Sequence, residues 1–321
     1  MSSKERFTIH VPAFDISVTL EDVPIVPDVP DVPIVPDVPI VPIAPDGDAP
    51  TLFIETFADS RLHDIDGPGF VWRTEKGNLH TQLSQFPHIY QFLDAETLPP
   101  DAPAVVTAGL RCVYQGKEDG ADQALPQLDW SLTNKVPTLY HDYYVWVDPA
   151  WNHTDVAGPD NNKFDSLFMD RYDNLQSPFF MSQLLPQEGG ASGLQVLANR
   201  SDVTTRVTVR EVVQRRVLPF IGPDGPIVPG RWAHVGWFTK PETHKLAGDG
   251  RYACVVDGVV VFDDTGYFGP RDGETLAHLV GAGYLLGWAN AGHLVDTAIV
   301  VARVRFDSVP PSWAQDAGIV E

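Results

Sequence analysis

The sequence predicts an all-β protein, a two-sheet antiparallel sandwich carried behind an extended N-terminal arm. Two patterns predict it. Proline recurs at every third place from Pro24 to Pro45, in triplets such as Asp22-Val23-Pro24 and Ile25-Val26-Pro27. After residue 50, short runs rich in Val, Ile, Thr and aromatic residues alternate with Gly, Pro, Asn and Asp, and helix signals are few. Many short strands joined by long Gly/Pro-rich connections bury their apolar faces by stacking two sheets. Three segments follow: an N-terminal piece (1–21), a Pro-rich arm (22–50) and a sandwich (51–321).

The arm is the most regular part of the chain. Proline fixes its own φ and drives the preceding residue out of the α region. Polyproline II has three residues per turn, so each residue type runs along its own edge, at about 3.1 Å per residue. One edge mixes Asp28, Asp31 and Asp37 with Ile25, Ile34, Ile40 and Ile43. A purely solvating spacer has no use for those isoleucines, so the arm reads as an anchor laid on a partner. No glycine falls in the triplets, which excludes a collagen helix.

Composition narrows the function. The 321 residues carry a net charge of -21, which argues against nucleic acid as a partner. Hydrophobic residues make up 43% and aromatics 10%, enough for a sizeable core. Cys112 and Cys254 lie in apolar, strand-like runs and read as buried thiols. The start, Met1 to Arg6, has no apolar run of the secretory kind, and no stretch reaches the ~20 apolar residues of a membrane span. Synthesis in a cytoplasm is expected.

Strands are expected at 51–57, 70–74, 79–82, 104–114, 140–147, 163–170, 194–198, 204–213, 232–239, 251–256, 259–263 and 297–306, with one or two weaker ones in 7–20. Asp257-Gly258 between Val255-Val256 and Val259-Val260 predicts a hairpin with a type I′ turn. Residues 273–280 predict a short turn of helix.

Several of these strands carry recognisable patterns. They are Glu55 to Asp59, the aromatic run Leu139 to Val147 with Pro149-Ala150-Trp151 after it, and Asn162 to Phe168. Then come Pro229-Gly230-Arg231-Trp232, Gly248-Asp249-Gly250-Arg251-Tyr252, Val256-Asp257-Gly258 and the closing run Asp296 to Phe306. In order and spacing they resemble the concanavalin A-like lectin/glucanase jelly roll, in its polysaccharide-lyase-like branch with phage and marine proteins. The resemblance covers roughly residues 51–310 and implies a jelly roll with a concave sheet that binds glycans; it does not fix an activity.

The chemistry is less marked. Retaining glucanases need paired carboxylates about 5 Å apart on one face. Glu211 stands alone, and Asp165 and Asp170 are five apart, so a regular strand turns them to opposite faces. A lyase needs a base, a cation and a polar anchor; Tyr144, His234, Arg171, Lys163, Arg251 and Tyr252 are of the right types but match no lyase spacing. Glycan binding asks only for exposed aromatics and a few polar groups. Tyr144, Trp146, Trp151, Tyr172, His234 and Tyr252 are the candidates, with Trp288 near a loop and Trp232 and Trp237 expected in the core. No cofactor is implied. Two oxygen-rich loops, Asp155/Asp160/Asn161/Asn162 and Asp170/Asp173/Asn174, have groups suited to Ca2+, although Asp and Asn equally stabilise plain turns.

The resulting expectation is a virion structural protein: a phage head decoration, fibre or tail-associated chain. The arm holds capsid or other virion proteins, and the sandwich displays a lectin-like surface to host or environmental glycans. Several copies per particle are expected. The alternative is a polysaccharide lyase or glycoside hydrolase with a Pro-rich spacer.

Overall fold

The computed structural model describes residues 8–11, 14–17, 52–63, 69–73, 87–116, 126–153, 162–168, 180–201, 208–212, 217–244, 247–266, 279–286, 293 and 295–320. Contacts divide the chain into two units, Met1–Gly47 and Asp48–Glu321. In the first, β1 (Thr8–Val11) and β2 (Phe14–Ser17) form an antiparallel hairpin. The proline triplets, with Ile25, Ile34, Ile40, Ile43, Asp28, Asp31 and Asp37, lie outside the described residues.

The second unit is the expected two-sheet antiparallel sandwich. Its strands are β3 (Phe53–Glu55), β4 (Phe70–Arg73), β5 (Tyr90–Leu93), β6 (Gly109–Tyr114), β7 (Leu128–Val136), β8 (Leu139–Val147), β9 (Asn162–Phe168) and β10 (Phe180–Pro186). They continue as β11 (Ser192–Ser201), β12 (Thr208–Val212), β13 (Leu218–Ile221), β14 (Trp232–Lys240), β15 (Gly250–Val256), β16 (Val259–Gly266), β17 (Val280–Leu285) and β18 (Thr297–Asp307). A short helix, α1 (Ser312–Asp316), follows β18. One sheet runs β12-β11-β10-β9-β17-β7-β4, with β13 also on β11. The other runs β16-β15-β14-β8-β18-β6-β5, with β3 also on β18. The β15–β16 turn has positive φ at both Asp257 (48°) and Gly258 (78°), as a type I′ hairpin requires.

Alternate residues of each strand face the interior. Phe70, Trp72 and Trp130 of the first sheet meet Phe53 and Phe306 of the second; Phe53 and Phe70 stack at 3.9 Å, and Trp130 sits 4.8 Å edge-on to Phe306. Cys112 and Cys254 are free, buried thiols in this core. A β-bulge against β10 interrupts β9, because Ser182 faces Asp165 while its neighbour Gln183 faces Lys163. The extra residue leaves both Phe164 and Asp165 buried. Asp165 accepts from His141 Nε2–H of the other sheet at 3.0 Å, so the two sheets share a buried polar contact. Burial raises the Asp165 carboxyl, and His141 pulls it back down.

A second polar junction closes one end of the sandwich. His153 and His293 form an isolated β-bridge and stack at 5.4 Å. Trp151 Nε1 donates to Ser192 Oγ (3.0 Å), His153 Nδ1 contacts the same oxygen (2.8 Å), and Asn162 Nδ2 donates to His293 Nε2 (2.9 Å). His293 Nδ1–H then donates to the Asn152 carbonyl at 3.2 Å. Burial lowers the His153 imidazolium from 6.5 to about 3 and that of His293 to about 4.

Gly283 of β17 lies where a Cβ would run into the Ser166 carbonyl and the Trp130 indole. Gly283→Ala is therefore expected to destabilise the fold by about 1–3 kcal/mol, read from its urea midpoint; an unchanged midpoint contradicts this packing. Both junction histidines have folded pKa values below the unfolded 6.5. Their contribution is complete above pH 6.5 and is lost as pH falls toward 4. A His153→Asn, His293→Gln double variant should lose less stability than the parent between pH 7 and pH 4.5; parallel losses would contradict the assignment.

Candidate functional site

Strand alternation that sends Tyr143, Val145 and Val147 inward sends Tyr144 and Trp146 outward on β8. On β14, Val235 and Trp237 are fully buried, and Trp232 and His234 face out. The register places Trp146 opposite Trp232 and Tyr144 opposite His234. These four half-buried side chains form two rows, about 4.8 Å apart between strands and about 6.7 Å along them. Tyr144 and His234 are in ring contact at 4.8 Å. The indole N–H groups of Trp146 and Trp232 are buried without a partner, so the exposed part of each ring is carbon. On the β18 side the Trp row meets Val300, which is fully buried, and beyond it in register lie Arg111 of β6 and Gln91 of β5. Arg111 Nη1 donates to Gln91 Oε1 at 3.1 Å.

The C-terminal segment covers the neighbouring part of this face. Tyr140, Phe238, Ala253 and Val255 pack with Ala314 and Ile319 in a separate apolar cluster. Trp313 lies over Gly236, where a Cβ would come within 2.7 Å of its ring. Its Nε1–H donates to Asp142 Oδ2 at 2.9 Å, and His234 Nε2–H donates to Asp142 Oδ1 at 2.8 Å. Asp142 is 2% exposed and His234 20%. Of the two groups only the imidazole can donate, so the nitrogen facing Asp142, Nε2, carries a hydrogen. The His234 backbone N–H donates to Asp257 Oδ1 at 2.8 Å, which ties the rim hairpin to the same residue.

Beyond Tyr144, β18 carries a bulge. Ala302 faces Tyr144 and Arg305 faces Asp142, so two residues, Arg303 and Val304, oppose one. Arg303 takes φ 45°, a region that non-glycine residues seldom adopt. Burial raises the Tyr144 hydroxyl above its ordinary value; the Arg303 charge pulls it back, and Asp142 and Asp257 push it further up. At neutral pH the phenol is protonated and serves as a hydrogen-bond donor. Arg305, by contrast, is engaged by Asp307 at 3.2 Å.

Three of the glycan candidates, Tyr144, Trp146 and His234, thus come together, joined by Trp232, expected in the core. Two others are corrected. Tyr252 is fully buried, stacked against Phe180 (4.2 Å) and Trp237 (5.3 Å), because its strand position faces the interior. Trp151 is 7% exposed and belongs to the end junction. Tyr172 lies outside the described residues, as do Arg171, Trp288 and both oxygen-rich loops except Asn162, which is buried against His293. Of the lyase candidates, Tyr144 and His234 meet here, Tyr252 is in the core, and Arg171 lies outside the described residues. Lys163 sits opposite Gln183 in the other sheet, and Arg251 pairs with Asp263 at 2.8 Å. Among the described residues no group of three His, Cys, Asp or Glu is placed to hold a metal, and no helix is long and apolar enough to cross a membrane. Sequence reading did not single out Arg303, because the bulge that brings it beside Tyr144 is announced by no residue pattern.

No protein-family model matches the sequence, and no curated protein does. Among solved structures, the following three show a distant similarity. An endo-β-1,4-glucuronan lyase from the fungus Trichoderma reesei is similar over 80% of this chain and 95% of its own, at 9% identity and TM-score 0.46. An alginate lyase from a Chlorella virus is similar over 71% and 96%, at 11% identity and TM-score 0.37. The receptor-binding domain of botulinum neurotoxin type G is similar over 84% of this chain but only 50% of its own, at 6% identity and TM-score 0.43. With TM-scores of 0.46 or below, these likenesses carry neither activity nor ligand over to this chain.

Proposed function

We propose that the sandwich is a carbohydrate-binding domain, and that the N-terminal arm fixes it to a larger assembly, a phage virion. The observation that carries the binding half is the open pair of rows, Tyr144 beside His234 and Trp146 beside Trp232. Sugar rings present C–H faces and hydroxyl edges. Carbon-exposing aromatic rings take the first, while the Tyr144 hydroxyl and the His234 imidazole offer polar groups to the second. Asp142 and Trp313 hold His234 in one orientation, so little side-chain freedom is lost on binding. The arm half is supported by the proline period and by the isoleucine edge, which favours a gripped over a solvated segment.

A β-eliminating lyase is a second reading, because Tyr144, His234 and Arg303 place an acid, a base and a cation together. The raised Tyr144 hydroxyl works against Tyr as the base and leaves that role to His234. The scattered positions of Lys163, Arg251 and Tyr252 give it no further support.

Full-length protein on a glycan array is expected to bind, and Trp146→Ala to weaken binding about tenfold or more at a temperature where both proteins remain folded. Silence across the array, or equal binding by the variant, contradicts the binding half. Accumulation of ultraviolet-absorbing unsaturated product from the bound glycan would favour the lyase reading. Removing residues 1–48 should abolish attachment to the particle; co-purification of the truncated chain would contradict the anchor.

A further inference from the structure

We propose that Arg303 makes the aromatic face selective for glycans bearing one isolated carboxylate. This rests on the reading of that face as a glycan platform and names its ligand class. Three observations converge. First, the bulge in β18 inserts Arg303 next to the strand position that faces Tyr144, and bulges commonly re-aim a side chain beside a binding site. Second, Arg303 holds φ 45°, although an unbranched L residue gains nothing there by itself. Such backbone strain persists where the surrounding structure imposes it, and it gathers at ligand sites. Third, Arg303 is half-buried and has no ion pair or hydrogen bond among the described residues, whereas nearby Arg305 is held by Asp307 and Arg111 is held by Gln91.

A guanidinium is planar and presents paired donors that match a carboxylate. With a sugar ring on Tyr144 and Trp146, Arg303 and the Tyr144 hydroxyl are the cation and donor beside it. The charge of the whole chain sets the limit. At net -21 the protein repels a polyanion, and a single local cation does not offset that field along a polymer. One carboxylate on an otherwise neutral glycan meets the attraction without most of the repulsion.

The test uses the full chain and four probes: a neutral oligosaccharide, the same oligosaccharide ending in one glucuronate, its singly sulfated counterpart, and a polyglucuronate. The glucuronate-ended probe should bind about tenfold tighter than the neutral one, the strength of a charge-assisted hydrogen bond. It should also bind tighter than the sulfated and polymeric probes. Arg303→Gln should reduce its affinity to that of the neutral probe. Arg303→Gly and Arg303→Asn, which suit a positive φ, should do the same without lowering the melting temperature, a separation that a merely structural arginine would not give. Equal affinity for neutral and glucuronate-ended probes, or unchanged preference in all three variants, overturns the assignment while the glycan platform stands. Stronger binding of the sulfated or polymeric probe overturns the carboxylate assignment. No binding by any probe overturns the platform and this inference with it.

Discussion

The open face of the second sheet depends on one shared carboxylate. Asp142 is nearly buried, and its two oxygens accept from Trp313 and from His234. Trp313 can reach it because residue 236 is glycine, so the indole lies flat on the strand. His234, fixed by the same carboxylate, turns its ring against Tyr144. Packing of the C-terminal helix is thereby linked to the orientation of two surface side chains. A buried ionised group is costly unless its lone pairs are used, and both oxygens here have a donor.

Irregular places in otherwise regular strands do the rest. Simple alternation would send one of Phe164 and Asp165 outward; the bulge in β9 leaves both buried, and Asp165 then reaches His141 across the sandwich. In β18 the bulge does the opposite, adding a residue at the surface beside Tyr144. Each bulge changes what one strand presents without disturbing the order of the sheet.

Much of the sandwich was legible in the sequence. The aromatic run 139–147, the Asp257-Gly258 turn and the closing strand appear close to where they were expected. Of the strands not foreseen, β17 reads Val-Gly-Ala-Gly-Tyr-Leu, whose glycines weaken the β signal; Gly283 is there because Trp130 needs the space. β7 alternates Leu128, Asp129, Trp130, Ser131 and Leu132, a period-2 pattern diluted by the polar residues of its outer face. Residues 273–278 of the expected helical turn lie outside the described residues, and Val280 opens a strand. For the site, residue type and strand parity found Tyr144, Trp146 and His234. Parity alone cannot say which sheet face is interior at Tyr252, and that choice is made by Trp237 and Phe180 packing on it.

The central claim is that sugars rest on this face and not elsewhere on the sandwich. Its most direct test follows the tryptophan indole N–H resonances by NMR during titration with a glycan that binds. Trp146 and Trp232 should shift together and saturably, with Trp72 and Trp130 in the opposite sheet unmoved. Silence of Trp146 and Trp232 at saturation would place binding elsewhere and contradict the account.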